Sequence, residues 1–417
     1  MAIIRPFKGV RPNPEMASAI AALPYDVMNS MEAREMTKDN PLSFLYIDRP
    51  ELNFPPGQNM YADEVYEKAR EVYESMKAKK EFIQDAEPVL YIYQQTMDGR
   101  KQMGLVAATS IDEYLNNTIK KHELTRKEKE EDRIRHVDAM DANTGPIFLT
   151  YRGKAHISAL IKDWAAKHAP VYDFVSEDNV GHTVWVIDCA EVIKALSDAF
   201  ASDVGALYIA DGHHRNASAV AVGLKRRTQN PNYTMEDELN YYLSVIFPAD
   251  ELAIMDYNRV VKDLNGLSKD EFIAKLKEKF DVSEWSGGAY KPEARHMFGV
   301  YVDGAWYKLV AKPEFIKETD PVESLDVSIL QSQVLTPILD IKDPRTDARV
   351  DFVGGLRGLG ELERRVDSGN MAAAFSMFPT SMDELMAISD ADKLMPPKST
   401  WFEPKLRSGL FIHELSN

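Results

Sequence analysis

One cysteine, Cys189, is all the thiol this 417-residue chain holds. A single cysteine excludes an intrachain disulfide and any cysteine-built zinc cluster. It ends the apolar run Val184-Trp185-Val186-Ile187-Asp188-Cys189 and is expected to be a buried structural thiol rather than a nucleophile. No stretch of about 18 apolar residues is present to span a bilayer. Met1-Ala2-Ile3-Ile4-Arg5-Pro6 lacks the apolar core of a secretion signal. A cytoplasmic protein without a membrane partner is expected. Positive charge is scarce too: 50 Lys and Arg against 66 Asp and Glu leave a formal charge of −16. General nucleic-acid binding needs a basic face, so nucleic acid is not expected as a partner; a local basic pocket for a nucleotide remains allowed. No window is low-complexity, and no internal repeat recurs.

What the chain does have is a globular composition, 44% apolar and 28% charged, in a length that suits two or three domains. Strand and helix patterns mix without strict alternation, which predicts an α+β fold. Three segments are expected: an N-terminal α+β segment over 1–110, a core over 111–250 and a C-terminal α+β substrate-side domain over 251–417. Val65, Ala69, Val72 and Met76 have helical spacing within 61–82. Strands over 89–93 and 104–108 turn around Asp98-Gly99, and a second hairpin turns at Asp303-Gly304. The charged stretch 125–140 reads as an exposed helix. Ser268 with Glu271 and Ser381 with Glu384 are capping boxes.

The strongest chemical signal is the apolar strand Ala206-Leu207-Tyr208-Ile209-Ala210 running into Asp211-Gly212-His213-His214-Arg215, then an alanine-rich helix. Glycine at a strand-to-helix junction allows a tight turn and close ligand approach. The helix N-terminus offers free N–H groups and partial positive charge to a phosphate. Arg215 can grip phosphate oxygens, and His213 and His214 can donate hydrogen bonds or take up charge beside them. Asp211 is an acid where Mg²⁺ bridging nucleotide phosphates would want one. The plainer alternative is a capped helix with surface histidines. A rival chemical reading is a metal hydrolase ligated by Asp211, His213 and His214, although adjacent histidines point apart and no second ligand cluster accompanies them.

Lys121-His122-Glu123 lies before the charged helix, where Glu123 alone would be a solvated acid. The proline-framed loop Met395-Pro396-Pro397-Lys398-Ser399-Thr400-Trp401-Phe402-Glu403-Pro404-Lys405 holds amine, hydroxyl and aromatic groups suited to a small polar ligand, or simply covers the core. Gly354-Gly355-x-x-Gly358-x-Gly360 fits neither dinucleotide nor Walker spacing and reads as a turn. His136, His156, His168, His182, His296 and His413 suggest no role.

On Arg5-Pro6-Phe7, Pro24-Tyr25-Asp26-Val27, Asn40-Pro41, Ser43-Phe44, Lys121-His122-Glu123, Thr125, Asn143-Thr144-Gly145-Pro146-Ile147-Phe148, Asp211 to Arg215 and Pro396 to Thr400, the chain resembles a widespread prokaryotic family labelled a domain of unknown function. Three pieces in the same order also resemble the archaeal ADP-dependent free serine kinases of the ParB/sulfiredoxin-like superfamily. These are His122-Glu123, the Asp211 turn, and the strand 372–378 with Pro379-Thr380 and Pro397-Lys398-Ser399-Thr400. The resemblance implies a ParB/sulfiredoxin-like core and phosphoryl transfer from ADP or ATP, with Mg²⁺, to free L-serine. It makes Glu123 the base and Asp211 a catalytic and metal-holding acid. Gly212, His213, His214 and Arg215 become phosphate ligands, and His122, Lys398, Ser399 and Thr400 face the substrate. Trp401-Phe402 stands where that family has Arg-His, and the spacing from Glu123 to Asp211 is wider. A nucleotide-binding switch of ParB-like type and a nucleotide or phosphate-ester hydrolase are the other function classes. The expected partners are nucleotide and small substrate, and a homodimer is compatible with these features.

Overall fold

A computed structural model describes residues 1–416. They form two units: Met1–Leu252 with the C-terminal segment from Pro404, and Ala253–Glu403. The fold is α+β, as the pattern predicts.

The first unit is built on a nine-stranded mixed sheet. Its strands are β1 (Ile4–Arg5), β2 (Leu90–Met97), β3 (Arg100–Ser110), β4 (Ile119–Lys120), β5 (Ile147–Tyr151), β6 (Tyr172–Val175), β7 (Gly181–Ile187), β8 (Leu207–Asp211) and β9 (Tyr241–Pro248). The order is β4-β8-β5-β9-β3-β2-β7-β6, with β1 on β3. Only β8–β4 and β9–β5 are parallel. The β2–β3 hairpin turns at Asp98-Gly99, both at positive φ (50° and 78°), the geometry a right-twisted two-residue turn needs.

Alternation sorts the sheet's two faces. Leu90, Ile92, Leu105, Trp185, Ile187, Leu207 and Ile209 join a core with Ile157, Ile161 and Trp164 of one helix (Ala155–Lys167) and Leu196 and Phe200 of another (Ala190–Asp203). Tyr91 and Tyr93 point the other way, where both rings meet Phe411. A separate apolar cluster gathers the N-terminal segments with the helix α1 (Asp63–Ala78), through Val10, Phe44, Ala69, Tyr73, Met140 and Ile412.

Three expectations are corrected. The boundary at 110 falls inside a continuous sheet: β3, from the first segment, pairs through Leu105 to Ser110 with Tyr241 to Ile246 of β9, from the second. Segments 1–110 and 111–250 are therefore one folded unit. The charged helix α2 (Lys127–Met140) is not simply exposed, since it buries Asp132, Arg133, His136, Val137 and Met140. Cys189 is half-buried at the start of the Ala190–Asp203 helix rather than fully inside.

The second unit holds a six-stranded antiparallel sheet of β10 (Tyr257–Val261), β11 (Phe280–Trp285), β12 (Met297–Val302), β13 (Ala305–Ala311), β14 (Val350–Gly354) and β15 (Ala373–Met377). Its order is β11-β13-β12-β15-β10-β14. Both predicted capping boxes form, at Ser268 with Glu271 and at Ser381 with Glu384. The predicted hairpin turns at Asp303-Gly304, again both at positive φ.

Candidate functional site

β8 lies between β4 and β5, and its register with β5 shifts between Ile209 and Asp211. The shift releases the strand end into the turn. Gly212 then caps the 17-residue helix α3 (His213–Gln229) at φ +90°. A Cβ at Gly212 would lie 3.2 Å from Arg215 Cζ, so both the backbone conformation and the close guanidinium select glycine. Asp211 Oδ1 accepts the Gly212 N–H at 2.8 Å. Its Oδ2 pairs with Lys405 Nζ at 3.0 Å. Burial opposes the Asp211 charge, but Lys405, Arg215 and the Gly212 N–H outweigh it and hold the carboxyl well below the usual range.

The histidines divide. The His122 and His213 rings meet edge to face at 4.5 Å. Burial pushes His122 down to about 4, against the pull of Asp211 and the Ile209 backbone. Burial, then His122 itself, pushes His213 well down as well. Both are neutral at pH 7. Neither ring nitrogen of His122 has a well-formed hydrogen bond, and His213 Nε2 also lacks a partner. His214 turns away, and its Nε2 accepts the Arg126 N–H at 2.9 Å.

Arg215 is half-buried by a shell that the first 150 residues supply. Its Nη1 donates to the Pro146 carbonyl at 2.6 Å, while its Nε has no partner. Burial works against its charge, but Asp26, Asp211, Tyr25 and Asp48 keep it protonated. Tyr25 Oη is buried without a partner, and Arg133 stacks 4.1 Å over the Tyr25 ring. Arg49 holds that segment in place, donating to the Tyr25 and Met28 carbonyls at 2.7 Å each. Thr144 Oγ1 donates to Asp48 Oδ1 at 2.7 Å. Tyr25, Asp48, Arg133, Thr144 and Arg215 border a cavity of about 20 Å³, room for one water. Gly145 packs closely here, since a Cβ would approach Ser408 Oγ to 3.3 Å and Arg215 Cδ to 3.5 Å.

The turn thus gathers Asp211, Gly212, His213 and Arg215 with His122, with Tyr25, Asp26 and Lys405, which the sequence named only within longer segments and gave no role, and with Asp48, which it did not name. The signal that could have found them was the set of short segments around Tyr25 and Thr144, which fold onto Arg215 from far apart in sequence. Glu123 is exposed in the bend directly after His122. Lys398, Ser399 and Thr400 belong to the second unit. There Ser399 Oγ donates to the Pro396 carbonyl at 2.6 Å, and Thr380 Oγ1 donates to the Ser399 carbonyl at 2.9 Å.

No group of three or more His, Cys, Asp or Glu among the described residues is arranged to hold a metal ion. His213 faces His122 and His214 faces Arg126, so the Asp211-His213-His214 ligand set of a metal hydrolase does not form. The turn offers Mg²⁺ one carboxylate, which fits an ion held chiefly by nucleotide phosphates. No helix among the described residues is long and apolar enough to cross a membrane. A cavity of about 1090 Å³ in the first unit is lined by residues such as Gln94, Thr96, Thr183 and Trp185 and by none of the turn.

Comparison with known proteins gives one family. The model of the family described as "Protein of unknown function (DUF1015)" matches residues 4–328. No curated protein matches significantly. Solved structures similar to this chain include a free serine kinase in complex with AMP, at 14% identity and TM-score 0.36, covering 74% of this chain and 91% of that one. A conserved hypothetical protein from Pyrococcus furiosus is similar at 14% identity and TM-score 0.36, over 74% and 95%. SbnI from Staphylococcus aureus, truncated at its C-terminus, is similar at 11% and 0.35, over 74% and 87%.

Proposed function

The chain belongs to the DUF1015 family, and we propose that it is a nucleotide-dependent kinase that phosphorylates the hydroxyl of free L-serine. The observation that carries this reading is the set of buried polar atoms without well-formed hydrogen bonds beside one helix N-terminus: the ring nitrogens of His122, one of which donates in the neutral ring, with His213 Nε2, Arg215 Nε and Tyr25 Oη. Buried polar groups are nearly always hydrogen-bonded. Donors left open beside a helix N-terminus suit an anion with several oxygens, as a nucleotide phosphate has.

In the proposed reaction, the serine Oγ–P bond forms as the bond from phosphorus to the nucleotide's bridging oxygen breaks. The hydroxyl proton passes to Glu123, and the nucleotide leaves one phosphate shorter. His213, His214 and Arg215 hold the transferring charge with the Gly212 turn, and His122, next to the base, faces the substrate. His214 would have to exchange its bond to Arg126 for one to phosphate. Lys398, Ser399 and Thr400 recognise the acceptor. Asp211 would hold Mg²⁺, which neutralises phosphate charge when bound.

Purified protein incubated with ADP or ATP, with and without L-serine, tests this. O-phosphoserine formed only with serine is the expected result. Nucleotide breakdown that ignores serine assigns a hydrolase, and tight binding without turnover assigns a switch.

A further inference from the structure

The second unit carries a buried cation with no anion. Arg259, in the middle of β10, is 4% exposed. Strand alternation sends its neighbour Val260 into the core with Trp306, Val353 and Leu362. Arg259 therefore stands on the opposite face, in register with Phe352 of β14 and Phe375 of β15. Its guanidinium carbon is 5.4 Å from the Phe352 ring centre and 6.0 Å from that of Tyr257. Its hydrogen bonds go to carbonyls alone, those of Tyr257 and, at 2.9 Å, Lys398.

A second cation shares the same ring. Lys398 Nζ lies 5.7 Å from the Tyr257 centroid, on a residue held at φ +59°. That backbone conformation is uncommon for a non-glycine residue. The loop is held firmly by the Ser399 and Thr380 bonds above, and by the Met255 N–H to the Trp401 carbonyl at 2.8 Å. Trp401 packs on Gly354, where a Cβ would come within 3.0 Å of its ring.

Neither Arg259 nor Lys398 has a carboxylate partner among the described residues, although this chain has 16 more acids than bases. Burying a guanidinium is costly unless an anion answers it, and two neighbouring cations repel as well. Burial alone pushes Arg259 down to about 10, with only weak support from Tyr257. An ordinary structural arginine in such a place is met by Asp or Glu; here the counter-charge is left to come from outside.

We propose that Arg259 and Lys398 form an oxyanion receptor that takes the carboxylate of a small amino-acid substrate. In naming an amino acid this rests on the kinase reading; the oxyanion site itself rests on the second unit alone. A planar carboxylate matches the fork of one guanidinium, and the Tyr257 and Phe352 rings suit the short aliphatic part behind it. Phosphate shares the oxyanion chemistry and is the other source to be separated.

Calorimetry on the full-length protein with L-serine, L-serinamide and inorganic phosphate separates them. Serine should bind, and serinamide, which lacks the carboxylate, should bind roughly 10- to 100-fold more weakly, the worth of one charge-assisted hydrogen bond. Arg259→Gln should erase that discrimination and leave nucleotide affinity unchanged. Lys398→Gln, a change on the exposed side, should shrink it, and it keeps the test decisive if Arg259→Gln fails to fold. Equal binding of serine and serinamide by wild type overturns the proposal, as does unchanged discrimination in Lys398→Gln and any folded Arg259→Gln. Phosphate binding without serine binding, lost in either variant, keeps the oxyanion site and overturns the amino-acid assignment. Serine phosphorylation with unchanged KM in both variants overturns the site while the kinase reading stands.

Discussion

At Gly212 the chain needs φ +90° and a guanidinium 3.2 Å from where a Cβ would sit. Gly212→Ala should therefore cost about 1–2 kcal/mol from the left-handed conformation alone, and displace Arg215 besides. A lowered Tm together with weakened nucleotide binding is the expected outcome; an unchanged affinity would separate the turn from the phosphate. Lys405 is the residue whose partner is clearest. Lys405→Met keeps the side chain's apolar stem but leaves Asp211 with only Arg215 and the Gly212 N–H to balance it. Because Lys405 lies at the same carboxylate as the turn, nucleotide affinity should fall by roughly tenfold or more. Glu123→Gln should act differently, lowering serine-dependent turnover by roughly 10²–10⁴-fold with little change in nucleotide affinity. Wild-type turnover in Glu123→Gln removes Glu123 as the base and turns attention to Asp211.

Between elements, the buried His122–His213 contact joins the segment leaving β4 to the start of α3, and it makes that junction sensitive to acid. The unfolded chain takes up a proton at each histidine near pH 6.5, whereas folded His122 resists until about 4. Protons are then bound by the unfolded state and not by the folded one, so stability falls as pH drops from about 6.5 toward 4 and levels below that. For His122 alone the loss is on the order of 3 kcal/mol. Denaturant unfolding at several pH values should show this slope, and His122→Gln should flatten it. A slope identical in wild type and variant would place the acid sensitivity elsewhere, with His182, which burial pushes to about 3, the next to examine.

Most elements were legible because local rules decide them: the Asp98-Gly99 turn, the two capping boxes, and the strand that runs into Asp211. The helix 127–140 was legible as a helix but not in its burial. Its charge pattern suggests a solvated face, while tertiary partners, Tyr66 for Asp132 and Tyr25 for Arg133, bury those charges from far away in the chain. The Arg215 shell was illegible for the same reason. Nothing local in Tyr25 or Asp48 announces a contact with a residue so distant in sequence.

At the scale of the whole molecule, the chain leaves the first unit after Leu252 and returns to it at Pro404, so the last residues belong to a unit built mainly by the first 252. They are integral to it. The Ser408 and Ala22 backbones exchange hydrogen bonds at 2.9 and 3.1 Å, and those of Ile412 and Val10 at 2.8 and 3.0 Å. Arg407 pairs with Asp178, and Glu414 takes hydrogen bonds from Tyr73 Oη at 2.9 Å and Lys77 Nζ at 2.6 Å. Leu406, Leu410, Phe411 and Ile412 are each 3% exposed or less. At about 1.5–3 kcal/mol for each large apolar side chain buried, these four contribute on the order of 6–12 kcal/mol, comparable with the whole stability of an ordinary domain. A chain ending at Glu403 should therefore fail to unfold cooperatively and should expose apolar surface to a hydrophobic dye, whereas Lys405→Met should keep a wild-type far-ultraviolet spectrum and a cooperative transition. The two together distinguish the segment's roles: the truncation loses fold and nucleotide binding at once, and the point variant weakens binding alone. A truncated chain that melts cooperatively near the wild-type Tm would mean that residues 404–416 lie on the first unit without holding it, and the weakened binding in Lys405→Met would then stand as a local effect at Asp211.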